Sequence, residues 1–153
     1  MPVNRTRINK MRKNKTRKNT SIGKSKKFEQ EIILTFLQTL NMIKLYHWKT
    51  YSYATHKATD ELYSKLNDHM DSFVEIMLGK NGDRVNLTRV KSISLKDYTS
   101  VSDFKREILK FREFLIKLNT NKSMENLANT DLYNVRDEIL GDINQFLYLL
   151  TFK

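Results

Sequence analysis

Pro2 is the one proline in the chain. From residue 3 to residue 153, nothing imposes the fixed φ and missing N–H that break a helix. Glycine, the other common breaker, occurs only four times. A chain so poor in breakers, and rich in Leu, Ile, Lys and Glu, is expected to form long helices. The expected class is all-α.

Helical period divides the sequence into four segments. Residues 28–50 place Ile33, Phe36, Leu37, Leu40, Ile43 and His47 on one stripe. After a short YSYAT connection, residues 56–79 repeat Leu62, Leu66, Phe73 and Met77, with Gly79 as a C-terminal stop. Residues 80–100 are polar and read as a crossover. A third helix over 102–119 takes Ser102 as N-cap and turns Phe104, Ile108, Phe111 and Leu115 inward. The fourth, from about Asp131 to Thr151, buries Leu132, Val135, Ile139, Ile143, Phe146 and Leu150. Four helices with one long middle connection fit a ferritin-like four-helix bundle.

The formal net charge of +11 is segregated. Residues 1–27 hold Arg5, Arg7, Lys10, Arg12, Lys13, Lys15, Arg17, Lys18, Lys24, Lys26 and Lys27, and no acidic residue. Residues 28–153 balance 17 basic against 17 acidic side chains. The basic segment has few aliphatic residues and is expected to be a disordered tail. A polycation of this kind binds polyanions by counterion release, and nucleic acid is the expected partner. Without aromatics to stack on bases, it should show no sequence preference.

The absence of cysteine excludes disulfides, thiolate zinc sites and cysteine nucleophiles. No apolar run approaches the roughly 20 residues of a membrane span, and no secretory signal is expected. The expected setting is intracellular and soluble. DNA association would take the protein to a nucleoid, a nucleus or a virion.

All three histidines, His47, His56 and His69, fall between Tyr46 and Gly79, among Asp60, Glu61, Asp68, Asp71 and Glu75. At 100° per residue, Asp60 and Asp71 face the same way within about 20°. His56, Asp60, Asp71 and Glu75 therefore run down one helix face. Asp60 and Asp71 lie about 16 Å apart along the axis, too far for one metal. An antiparallel copy of the helix, on a two-fold axis near Lys65 and Leu66, would set His56 and Asp60 of one chain opposite the partner's acidic pair. Two sites per dimer would result. His47 reaches the same junction if the connection folds back. Mixed His and carboxylate ligands suit iron, and zinc or manganese as well.

This pattern resembles the Dps family, the DNA-protecting members of the ferritin-like superfamily. The residues that carry the resemblance are His47-Trp48, His56 with Asp60, Asp71 and Glu75, the DHMD and LG of the second helix, and the FLYLL end of the fourth. The similarity covers roughly residues 28–152. It implies a homo-oligomer, a dodecameric hollow shell of two-fold dimers, with ferrous iron bound at each dimer interface and oxidised there, typically by hydrogen peroxide. Asp60 and Glu75 would bridge or ligate iron, His47 and His56 would complete the ligand set, and Asp71 would ligate or orient. Several members of that family bind DNA through a basic N-terminal tail, as residues 1–27 would here. One departure is the His47–His56 spacing of nine, where the family has about twelve. It bears on whether both rings reach one site.

Each residue also has a plainer reading. Asp71 and Glu75 fit a solvated helix face. Asp60 behind His56 fits an ordinary i,i+4 pair. His47 fits a core histidine, Trp48 fits packing, and His69 matches no ligand spacing and reads as peripheral. The functional alternative is a DNA-packaging oligomer without catalysis, whose metal site has degenerated. A member with neither metal nor DNA completes the set.

Overall fold

The computed structural model describes the backbone of residues 5–125 and 129–152, with side chains from residue 26 onward in those spans. The described residues are all helical apart from connections. The elements are α1 (Arg5–Lys49), α2 (Tyr53–Asn81), α3 (Val101–Lys117), a 3-10 turn (Leu118–Thr120), the short α4 (Lys122–Glu125) and α5 (Thr130–Leu149).

The helix boundaries follow the caps. Ser52 starts α2, its hydroxyl accepting from the Thr55 N–H, so the helix begins three residues before His56. Gly79 lies inside α2. The stop is Gly82, whose φ of 65° suits a residue without Cβ and whose N–H returns to the Leu78 carbonyl. Ser100, not Ser102, caps α3 by accepting from the Asp103 N–H. Upstream, α1 is helical from Arg5, across the segment assigned from composition to a disordered tail. Lys and Arg are good helix formers and no proline intervenes, although like charges three and four apart oppose the helix.

Contacting pairs define the topology. Phe36–Phe73 and His47–His56 run in opposite senses along α1 and α2, so these helices are antiparallel. Lys80–Asp131, His69–Asp142 and Lys65–Gln145 set α5 antiparallel to α2. Tyr46 stacks on Phe104 at 4.0 Å and Phe36 meets Phe111 edge-on, so α3 is antiparallel to α1. Hence α2 and α3 are parallel, and residues 82–100 must traverse the length of the molecule between them. They lie along α1, held by Gln30 Nε2 donating to the Asn86 carbonyl, Gln38 Nε2 to the Ser94 carbonyl, and the Lys49–Asp97 ion pair.

The four long helices share one core. Ile32, Ile43, Leu66, Phe73, Met77, Phe104, Ile108, Leu115, Leu132, Ile139 and Ile143 are fully buried. Among the expected inward residues, Leu37 is exposed, while Leu40, Val135 and Leu150 are only half-buried. Met70 joins the core on the α2 stripe. Two buried charged groups are neutralised locally. Glu107 pairs with Lys96 and Lys110, and Arg136 bonds to Asp137 and Asn119. No described helix is long and apolar enough to cross a membrane.

Candidate metal half-site at the α1–α2 junction

Only Thr50–Ser52 separate α1 from α2. This tight reversal puts His47 in the last turn of one helix and His56 in the first turn of the next. Their rings stack with centroids 3.9 Å apart and planes 24° apart. The nine-residue spacing therefore brings both histidines together.

The pair is bonded reciprocally. His47 Nδ1 lies 3.0 Å from the His56 main-chain oxygen, and His56 Nδ1 lies 3.1 Å from the His47 main-chain oxygen. The His47 carbonyl is one of the last in α1, where helix geometry leaves carbonyls without an intrahelical donor. A carbonyl only accepts, so each Nδ1 carries the proton, and in the neutral form of such a ring the lone pair lies on Nε2. That is the form in which imidazole ligates a metal. His47 is buried, yet its Nε2 is 3.9 Å from Asp60 Oδ1. Two atoms this close can both reach one ion through bonds of about 2 Å.

Two neighbours were not expected from the sequence. Thr59 is completely buried, with its hydroxyl 3.3 Å from His47 Nδ1. Lys44 places Nζ 3.9 Å from the same Asp60 Oδ1 and 4.7 Å above the Tyr63 ring. A Thr three residues beyond a histidine, and a Lys three before one, are the signals that point to this junction. Tyr46 adjoins the pair, and burial pushes its phenol pKa up against the opposing effect of its bond to Thr50. A cleft of about 840 Å³ opens beside Asp60, lined in part by Tyr46, Thr55, Ser64 and Phe152.

Asp71 and Glu75 do not join this cluster. They are exposed further along α2, about 16 and 22 Å from Asp60 along the axis. Neither has an ion-pair or hydrogen-bond partner among the described residues. Asp71 borders an apolar groove of about 220 Å³ between α1 and α2, formed with Ile33, Phe36, Leu37, Leu40 and Val74. Accordingly, the described residues contain no group of three or more His, Asp or Glu side chains able to hold a metal within one chain.

His69, read as peripheral, is half-buried in the α2–α5 seam. Its Nδ1 lies 2.9 Å from Asp142 and its Nε2 3.7 Å from Glu138. Trp48 is 68% exposed and packs little within the chain. Of the basic segment, Lys26 is described as exposed and paired with Asp83 at 3.1 Å, and Lys27 as exposed. The side chains of Arg5, Arg7, Lys10, Arg12, Lys13, Lys15, Arg17, Lys18 and Lys24 lie outside the described residues.

No curated protein and no solved structure matches the chain. A protein family of unknown function (DUF5856) matches residues 47–150, a span that takes in His47, His56, Asp60, Asp71 and Glu75 and leaves out the basic segment. The chain belongs to that family.

Proposed function

We propose that the protein is a Dps-like mini-ferritin that oxidises and sequesters ferrous iron at a site shared between two chains. The observation that carries this reading is the split ligand set. At the junction His56 stacks on His47, whose Nε2 lies 3.9 Å from Asp60, while Asp71 and Glu75 have no partner among the described residues and lie further along the same helix. An antiparallel second copy would bring the two halves together. The helix directions support the reading too, because two antiparallel pairs joined by one long crossover are the ferritin-like four-helix topology. Trp48, Tyr51, Tyr53, Val101, Tyr148 and Phe152 are exposed at the junction end, as an apolar surface covered by assembly would be.

In the reaction, two ferrous ions each give one electron to hydrogen peroxide. The O–O bond breaks, and two protons complete two waters. Asp60 and Glu75 would hold the ions against the rising charge, with His47 and His56 as neutral ligands and Asp71 ligating or orienting. Lys44, close to Asp60, must yield as iron arrives. Ferrous oxidation by peroxide, followed by ultraviolet absorbance, tests the reading. Oxidation should outpace protein-free iron and should be lost in Glu75→Ala with the oligomer intact. Unchanged kinetics in that variant would refute the assignment.

A second reading rests on a different observation, the joining of eleven basic residues to the bundle through one continuous helix. In it the bundle is an oligomeric hub that presents basic segments to DNA, with avidity from their number. Removing residues 1–27 should abolish DNA retention in a mobility-shift assay. Retention without them would end this reading.

A further inference from the structure

We infer that Thr59 is a positioning residue which, with two main-chain carbonyls, presets both junction histidines as Nε2 ligands within a single chain, before any partner arrives. The inference rests on the metal reading of this site and names how that site is made ready.

The hydroxyl of Thr59 has one proton and three possible acceptors within reach, the Thr55 carbonyl at 2.8 Å, the His56 carbonyl at 3.0 Å and His47 Nδ1 at 3.3 Å. The two main-chain oxygens are the nearer acceptors, and with the proton on either of them a hydroxyl lone pair faces His47 Nδ1. His47 Nδ1 then sees two acceptors and no donor. A ring turned to the other tautomer would set its Nδ1 lone pair against the His56 oxygen at 3.0 Å. When the hydroxyl donates to the His56 oxygen, it ties that acceptor to the first turn of α2. His56 is fixed in return by the His47 carbonyl.

Thr59 is fully buried, whereas its neighbour Asp60 is exposed. An apolar side chain of equal shape would fill the space but would offer no acceptor. Ligand-orienting partners of this kind are worth about ten- to a hundredfold in metal affinity. The ion class that uses two neutral imidazole nitrogens and one carboxylate is a first-row divalent transition metal.

The test uses full-length protein labelled with 15N-histidine. Solid-state NMR reads each ring's tautomer without metal and at any assembly size. With three histidines, His69→Gln identifies the remaining two. Both His47 and His56 should carry the proton on Nδ1. Thr59→Val should give a mixed tautomer at His47 and weaken cobalt(II) binding, followed by visible absorbance, by about ten- to a hundredfold. Thr59→Ser should restore both. If Thr59→Val does not fold, Thr59→Ala carries the same comparison.

An Nε2 proton on either wild-type ring overturns the inference. So does a Thr59→Val protein with unchanged tautomers and unchanged cobalt affinity. Wild-type protein with the expected tautomers, lost in Thr59→Val, but no cobalt binding upholds the positioning role and sinks the metal reading instead.

Discussion

Glu107 shows how a single side chain can be both a burden and a tie. Burial pushes its carboxyl pKa up, but the hydrogen bonds and charges of Lys110 and Lys96 outweigh that and hold it below the usual range. A carboxyl depressed in the fold stabilises it above the unfolded value, near 4.3, and loses that contribution as pH falls through the folded value. Glu107→Gln should therefore cost about 1–3 kcal/mol at pH 7. The wild-type advantage should shrink below about pH 4, as seen by denaturant unfolding at several pH values. At the junction, sequence spacing brings out His47, His56 and Asp60 because the two side chains of α2 recur one helical turn apart. Thr59 is not legible in the same way, since its bonds run to main-chain oxygens that no side-chain pattern encodes.

At the level of helices, period is legible wherever a position is buried on every side. Phe104, Ile108, Phe111 and Leu115 are the clear case. Leu37 marks the limit, as the same period continues onto an exposed edge. The ends are less legible because several residues can cap, and Ser100 and Gly82 prevail over Ser102 and Gly79 through backbone angles that composition does not state. Ser52→Ala removes the α2 cap and should cost about 1 kcal/mol of unfolding free energy, measurable by chemical denaturation. The crossover is held differently. Among the described residues, the backbone N–H groups of residues 91–99 donate to no main-chain oxygen, and side chains such as Gln38 and Lys49 tie the segment to α1. Hydrogen exchange should find these amides exchanging far ahead of those in the α2 core.

At the scale of the whole molecule, the proposed site shared between two chains makes a strict prediction. A chain carrying His56→Ala and Asp60→Ala, and another carrying Asp71→Ala and Glu75→Ala, should each be inactive in ferrous oxidation. Unfolded together and refolded, they should regain activity, because a mixed two-fold pair has one intact site and one doubly broken site. Recovery should approach half the wild-type rate in those mixed pairs. No recovery, with mixed pairs demonstrated by mass spectrometry, would mean that the two halves do not meet across a two-fold axis.

Trp48 is the single tryptophan of the chain. It is largely exposed and adjoins His47 in sequence. The molecule therefore carries its own optical reporter. Burial beneath a second chain would shift its emission to shorter wavelength, and a paramagnetic ion at the neighbouring imidazole would quench it. Colour would report assembly and brightness would report occupancy, both from one unlabelled sample.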